Sequence, residues 1–248
     1  DRDAAIGLLR RAVELGVELI DTAASYGPYV SEELICQALH PYPENLLIAT
    51  KSGSVRTGPE VYVPLGRPEF IRQDCEMSLR RLKLERIDLF QLHMIDPKVS
   101  LDDQFGVLAE LKAEGKVGAV GLSSVTVEQV RHARSIVEVA SVQNEYNLAQ
   151  RRFEEVVAYC EQEDLGFMPF WPLALGELAR RGGTLAGIAT EVGATTAQVS
   201  LAWLLAHSPV MLPIPGTTST AHLEQNCAAA AVELSSEQLA RLDALALG

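Results

Sequence analysis

Four side chains stand at spacings that suit proton transfer to a carbonyl group. Tyr26 follows Asp21 within DTAASYG, Lys51 ends LLIATK, and His93 ends IDLFQLH. A phenol with a pKa near 10 is a poor acid at neutral pH, but a neighbouring ammonium stabilises the phenolate and lowers that pKa. We therefore expect Lys51 to make Tyr26 a general acid, with Asp21 holding Lys51 in place. His93 is expected to orient the carbonyl oxygen.

The elements that carry these residues alternate between helix-period segments and short apolar runs. The predicted strands cover 17–21, 46–50, 87–93, 117–123, 139–144, 165–170 and 210–214. The predicted helices cover 3–16, 31–40, 69–83, 101–114, 126–137, 151–163, 184–192, 196–207, 220–230 and 235–246. Apolar runs joined by helical crossovers are typical of parallel strands that are buried on both faces.

A closed barrel fits this alternation better than a doubly wound sheet, because no GxGxxG turn follows any of the strands. The pattern predicts a TIM (β/α)8-type barrel in one domain over residues 1–248. The chain opens with a helix, and only seven strands are predicted. We therefore expect the first strand of the barrel to be absent from the given chain.

Most of the predicted strands end on a polar residue, and strand ends form the mouth of such a barrel. Ser123 ends the fourth strand, and Gln143 with Asn144 ends the fifth. Taken singly, such residues are more often turn, surface or packing groups than functional ones. Together with Asp21, Tyr26, Lys51 and His93, however, these residues favour an active site at the mouth of the barrel. The Gly/Pro-rich connection at 52–68 is long enough to be functional.

The composition of the chain limits which binding partners are expected. The net charge of −12 disfavours nucleic acid and anionic membranes. The four cysteines lie far apart in the sequence, at Cys36, Cys75, Cys160 and Cys227. This spacing predicts reduced thiols rather than a metal site. Neither a signal peptide nor a membrane-length apolar run is evident, so we expect a cytoplasmic protein, either a monomer or a small homo-oligomer, that acts on a small carbonyl compound.

Seven stretches of the chain together resemble the aldo-keto reductases, and in particular bacterial members that reduce pyridoxal or aryl aldehydes. They are IDTAASYG at 20–27, ATK at 49–51, DLFQLH at 88–93, GLSS at 121–124, SVQNEYN at 141–147, MPFWPLALG at 168–176 and LPIPGTTSTAHLEQN at 212–226. The resemblance implies NADPH-dependent reduction of an aldehyde or ketone. It also implies a catalytic tetrad of Asp21, Tyr26, Lys51 and His93.

The resemblance further implies which residues bind the nicotinamide cofactor. Ser123, Ser124 and Gln143 would hold the carboxamide, and Phe170 would stack on the ring, within a segment that continues through Trp171, Pro172 and Leu173. Gly216, Thr217, Thr218, His222, Gln225 and Asn226 would surround the adenosine phosphate. From the residues alone, the serines and the glutamine also suit backbone capping, and GTT after Pro215 suits either an anion nest or a helix cap.

Three departures from the family pattern affect these assignments. Many relatives carry Lys in place of Gly216 and Arg in place of His222, and Asn is frequent in place of Ser124. Since those cations hold the 2′-phosphate, NADH is a possible cofactor beside NADPH. Two other functions stay open, namely a catalytically weak cofactor-binding regulatory or scaffolding protein on this fold, and a barrel lyase or isomerase. Tyr29, Tyr62 and Trp171 are candidates to line an apolar substrate pocket, and each also suits packing.

Overall fold

A computed structural model describes residues 1–180 and 182–246 of the chain. These residues fall into two compact units, Asp1–Val142 and Gln143–Gly248. The predicted domain over 1–248 also includes residues 181, 247 and 248, which lie outside the described residues. That one domain covers the whole chain stays a prediction.

The first unit alternates strands and helices, as its sequence predicts. Its helices are α1 (Arg2–Glu14), α2 (Val30–Leu39), α3 (Pro68–Leu82), α4 (Leu101–Ala113) and α5 (Val127–Arg134). Its strands are β1 (Leu19–Asp21), β2 (Leu47–Ser52), β3 (Ser54–Gly58), β4 (Val61–Pro64), β5 (Ile87–Leu92), β6 (Val117–Ser123) and β7 (Val139–Gln143), which ends at the first residue of the second unit.

Parallel pairing brings the polar strand ends to one edge of the sheet. The strand order is β1-β2-β5-β6-β7, and the first four strands pair in parallel. Lys51 is the register partner of Gln91, which in turn is the partner of Gly121. On the outer face, Ile48 of β2 packs with Ile35 of α2 and Leu82 of α3 in an apolar cluster. This packing fixes the strands whose ends carry the polar residues.

The connection at 52–68 contains an antiparallel hairpin that the sequence analysis did not predict. Strands β3 and β4 form a separate two-stranded sheet, in which Arg56 is the register partner of Tyr62. The turn between them includes Pro59 and places Glu60 at a φ of 56°. Proline and glycine disfavour strands, so their frequency in this connection conceals the hairpin in the sequence pattern.

The second unit is mostly helical. It contains α6 (Glu154–Gln162), β8 (Gly166–Phe167), α7 (Glu177–Arg180), α8 (Thr184–Glu191), α9 (Thr196–His207), α10 (Thr220–Ala228), α11 (Ser236–Asp243) and 3-10 turns at Ala174–Gly176, Ala229–Ala231 and Ala244–Ala246. Its core includes Tyr146, which stacks on Trp203 at a centroid distance of 6.1 Å.

The strand predicted over 210–214 is wrong. Its backbone forms one isolated parallel bridge, between Met211 and Phe167. Pro213 and Pro215 follow directly, and neither has the N–H that a strand ladder needs. The strand predicted over 165–170 is likewise reduced to Gly166–Phe167.

Residues 1–180 and 182–246 contain neither a candidate membrane-spanning helix nor a candidate metal-binding cluster. No helix there is long and apolar enough to cross a membrane. In the same residues, no group of three or more His, Cys, Asp or Glu side chains is placed to hold a metal ion.

Candidate active site

The first unit brings the four predicted catalytic side chains together. Asp21 is the last residue of β1, Lys51 lies near the end of β2, and His93 directly follows β5. Tyr26 lies in the loop after β1, with its ring centroid 5.2 Å from Lys51 Nζ. The Tyr26 and His93 rings meet edge to face at 5.7 Å. A phenol, an ammonium and an imidazole therefore share one site.

Lys51 is completely buried, so its ammonium must be compensated by protein groups. Its Nζ donates to Asp21 Oδ2 at 2.5 Å and to the Thr22 carbonyl at 2.8 Å. The other carboxylate oxygen of Asp21 accepts from Gln91 Nε2 at 2.9 Å. These bonds hold the cation in a fixed position beside the phenol.

The pKa of the Tyr26 phenol is raised above 10, mainly because the side chain is buried. The Lys51 ammonium lowers this pKa, while Asp21 and Tyr62 raise it. The expected lowering effect of the lysine is therefore present, but the pKa of the Tyr26 phenol still lies above its usual value. Burial outweighs the charge, and Tyr26 carries its proton at neutral pH.

His93 is neutral at physiological pH. Burial, with a further contribution from the Lys51 ammonium, lowers the pKa of His93 to about 3. A neutral imidazole has one N–H donor and one acceptor nitrogen. The ring can therefore offer a substrate oxygen a neutral hydrogen bond.

A buried charge network braces the opposite face of β2. Thr50, next to Lys51, donates its hydroxyl to Glu32 Oε1 at 2.6 Å, and Arg81 Nε donates to Glu32 Oε2 at 2.5 Å. The Arg81 guanidinium also lies 4.4 Å from the Tyr29 ring centroid. Glu32 is fully buried, so these contacts tie α2 and α3 to the strand that carries the lysine.

The hairpin supplies an aromatic wall to the site. Tyr62 lies 6.5 Å from Tyr26 and 6.3 Å from His93 between ring centroids. The Arg56 guanidinium lies over the Tyr62 ring, at 5.6 Å from its centroid. Tyr62 thus lies beside both rings, and its expected role in lining a substrate pocket stays a prediction.

A cavity of about 180 Å³ borders the site. Its lining includes Ser25, Ser54, Tyr29 and Asp74, together with Arg56. Burial raises the pKa of the Asp74 carboxyl to about 6. Tyr29 therefore borders this cavity, whereas Tyr62 contacts the catalytic rings.

Of the two predicted carboxamide-binding serines, Ser123 is buried at the end of β6. Ser124 is exposed and adopts a φ of 58°. Asn tolerates this left-handed backbone better than Ser does, which fits the family's frequent Asn at this position.

In the second unit, Gln143 is buried at the end of β7, and Phe170 is partly buried. Trp171 is 49% exposed at a φ of 51°, and its ring meets Phe170 edge to face at 5.4 Å. Asn147 Nδ2 donates to the Trp171 carbonyl at 3.0 Å, which anchors the segment. Within that segment, Pro172 is buried and Leu173 is partly buried.

The predicted phosphate-binding residues flank the start of α10. Ser219 caps this helix and accepts from the His222 backbone N–H, while the Thr217 hydroxyl accepts from the Ser219 N–H. The capping role thus falls to Ser219, one residue beyond GTT. Gly216, Thr218, His222 and Gln225 are exposed, and Thr217 and Asn226 are partly buried. Residues 212–226 contain neither Lys nor Arg.

Three side chains of the site were not predicted from the sequence. Gln91 is a buried amide within the apolar run IDLFQLH, and this polar residue two positions before His93 was the available signal. Ser25 and Ser54 both lie within hydrogen-bonding distance of His93 Nδ1. Serines are common in loops, so neither stood out in the sequence.

Comparison with known structures identifies the class of protein. The crystal structure of an aldo-keto reductase from Klebsiella pneumoniae in complex with NADPH matches with a TM-score of 0.87 at 29% identity, covering 99% of this chain and 85% of that one. The predicted α/β fold of the TIM-barrel type is thereby confirmed. A barrel fold alone fits many activities, so sequence relatives are needed to identify the family.

The family model described as Aldo/keto reductase family matches residues 1–247. An uncharacterized oxidoreductase of Schizosaccharomyces pombe is 51% identical over 243 residues, which are 98% of this chain and 79% of that relative. Pyridoxine 4-dehydrogenase of Escherichia coli is 40% identical over 251 residues, covering 99% of this chain and 87% of the enzyme. The chain belongs to the aldo/keto reductase family, and it is an oxidoreductase.

Proposed function

We propose that the protein reduces an aldehyde or ketone to an alcohol with NADPH, and that Tyr26 donates the proton. The observation that carries this proposal is the placement of Lys51. Its ammonium is held by Asp21 at 2.5 Å and lies 5.2 Å from the Tyr26 ring centroid. A fully buried cation with a carboxylate on one side and a phenol on the other stabilises negative charge on the phenol oxygen.

Each side chain has a distinct task. Tyr26 is protonated at neutral pH because its pKa is raised, so it is ready to donate. As the carbonyl oxygen takes that proton, the Lys51 ammonium stabilises the phenolate left behind. His93 is neutral, since its pKa is lowered to about 3, and donates a hydrogen bond that orients the carbonyl. Asp21 keeps Lys51 in position.

The chemistry of the proposed cofactor donors fits a nicotinamide. A carboxamide both donates and accepts hydrogen bonds, and so do the buried Ser123 hydroxyl and the buried Gln143 amide. Phe170 offers an aromatic face for a ring to stack on. The bound NADPH supplies the hydride. Thr217, His222, Gln225 and Asn226 would bind the 2′-phosphate end, with His222 the nearest group to a cation among them.

The proposed substrate is an aromatic aldehyde. Tyr62 stands beside both Tyr26 and His93, and an aromatic ring packed against its edge would gain both apolar burial and ring contact. The relation to pyridoxine 4-dehydrogenase of Escherichia coli, whose named substrate is a pyridine alcohol, supports the same class.

Turnover and binding must be tested on the same preparation. Purified protein is expected to oxidise NADPH when given benzaldehyde or pyridoxal, as followed by the loss of nicotinamide absorbance. Tyr26→Phe should lower kcat by about 10²-fold or more while NADPH still quenches tryptophan fluorescence. Undiminished turnover in Tyr26→Phe would exclude Tyr26 as the acid. NADPH binding without turnover on a broad aldehyde panel would instead point to the regulatory function.

A further inference from the structure

Two serine hydroxyls flank one nitrogen of the His93 ring. Ser54 Oγ lies 3.1 Å and Ser25 Oγ lies 3.4 Å from His93 Nδ1, and the two hydroxyls are 3.4 Å apart. Both serines are buried, at 3% and 4% exposure. Nδ1 thus faces two hydroxyl groups.

The backbone is built to bring Ser54 to this position. The His93 backbone N–H donates to the Ser52 carbonyl at 2.7 Å, so the end of β2 runs alongside the backbone of His93. Gly53 then takes a φ of +95°, and a Cβ there would lie 2.6 Å from the Leu92 side chain. Only glycine allows this turn without strain, and the turn presents Ser54 to Nδ1.

The number of hydroxyl protons determines the direction of these hydrogen bonds. In the described part of the chain, the side-chain hydrogen bonds of Ser25 and Ser54 join them to each other and to Nδ1. If one serine donates to the other and the second donates to Nδ1, every proton has an acceptor. If Nδ1–H donates instead, one serine O–H has no acceptor among these three groups, and a buried donor without a partner is costly.

We propose that Ser25 and Ser54 are positioning residues that hold neutral His93 in the tautomer protonated on Nε2. This inference rests on the proposed function, in which His93 donates a hydrogen bond to a carbonyl oxygen. Only the Nε2–H tautomer can donate from the nitrogen that faces away from the serines. In the other tautomer, Nε2 would present a lone pair to the carbonyl oxygen and repel it.

Nitrogen NMR of protein labelled with ¹⁵N-histidine reads the tautomer directly and needs no turnover. The His93 signals are assigned by their loss in His93→Gln. We expect Nε2 to be protonated and Nδ1 to be unprotonated at pH 7, and the Ser25→Ala/Ser54→Ala double variant to show a mixture of tautomers. A proton on Nδ1 in the unaltered protein, or an unchanged ratio in the double variant, overturns the proposal.

Steady-state kinetics test whether the tautomer of His93 affects turnover. Either serine alone can donate to Nδ1, so each single alanine variant should lower kcat about threefold, and the double variant should lose more than the product, about 30-fold. Ser54→Thr keeps a hydroxyl and should restore most of the activity. In a His93→Gln background the serine substitutions should have no further effect, whereas a purely structural role would still lower kcat there.

Ser141→Ala is the matched control. Ser141 is another buried serine of the first unit, and its hydroxyl has no partner among the described residues. Its loss should change neither the tautomer nor kcat. If the protein reduces no aldehyde at all, the proposed function fails, while the NMR result on the tautomer still stands by itself.

Discussion

Gln91 and Lys51 are register partners on β5 and β2, and each donates to a different oxygen of Asp21. The amide contacts Oδ1 at 2.9 Å, and the ammonium contacts Oδ2 at 2.5 Å. Asp21 therefore cannot rotate without losing one of them. The position of the cation beside Tyr26 is fixed by two neighbouring strands rather than by one ion pair.

Replacing Gln91 should loosen this arrangement without removing any reacting group. In Gln91→Leu, Asp21 Oδ1 loses a buried donor, which should lower the free energy of unfolding by about 1–3 kcal/mol. Because Lys51 then gains freedom to move, kcat should fall by about three- to tenfold. Denaturant titration measures the loss of stability, and initial rates measure the loss of kcat. Gln91→Glu keeps nearly the same shape without the amide donor, so it tests whether the shape of the side chain is sufficient. Wild-type kcat in Gln91→Leu would show that Asp21 needs no second donor.

Lys51 should control how the reverse reaction depends on pH. In the proposed mechanism, oxidation of an alcohol needs the Tyr26 phenolate, and the Tyr26 pKa is raised despite the lowering effect of Lys51. Alcohol oxidation should therefore accelerate as pH rises from 7 to 10, while aldehyde reduction stays nearly constant.

Lys51→Met removes the cation, so the phenol pKa rises further, and oxidation at pH 8 should fall by about 10²-fold. Rate profiles for both directions measure the effect. Lys51→Arg retains a charge and serves as the comparison. An oxidation profile in Lys51→Met that matches the unaltered protein would contradict this role.

The strand ends of the first unit were predictable because their signal is local. Asp21, Lys51 and His93 each end an apolar run, and parallel pairing brings such ends to one edge regardless of other details. The Ser54 contact was not predictable, since it depends on the φ of +95° at Gly53 and on the hairpin beyond it. Neither is visible from the pattern of residue types.

The sign of the Tyr26 pKa shift illustrates a second limit. Sequence shows that a lysine is available, and it correctly predicts that the cation lowers the pKa. It does not show how deeply the phenol is buried, and burial is the larger effect. Deciding which of two opposing effects is larger requires coordinates.

We expect the residue at position 222 to influence the preference for NADPH over NADH. His222 is exposed near the start of α10, in a segment with neither Lys nor Arg. His222→Arg adds a permanent cation that suits a phosphate, so the Kd for NADPH should fall by about tenfold, and the Kd for NADH should stay unchanged.

Fluorescence titration of the two cofactors gives both constants. Ala221→Arg, at the neighbouring exposed position, controls for net charge. Equal tightening of NADPH and NADH by His222→Arg would place this side chain away from the 2′-phosphate.

Asp74 should make the protein less stable as pH rises from about 4 to 6. Burial raises the pKa of its carboxyl from 3.8 to about 6 in the folded chain. Between these values the unfolded chain has lost the proton and the folded chain retains it, so the folded state loses relative stability with increasing pH. Above pH 6 both states are ionised, and the penalty reaches its full size of about 3 kcal/mol.

Denaturant titrations from pH 3.5 to 7 measure this as the difference in unfolding free energy between the unaltered protein and Asp74→Asn. The difference should shift in favour of Asp74→Asn by about 3 kcal/mol as pH rises through this window, and then level off. Arg81 lies 3.8 Å from Asp74 and lowers the pKa of its carboxyl, and this effect is already contained in the value of about 6, so the ion pair adds no separate pH dependence. Asp164→Asn, at an exposed position, is the control for removing one carboxylate. A constant difference for Asp74→Asn over the whole range would mean that the carboxyl ionises in the folded protein as readily as in the unfolded chain.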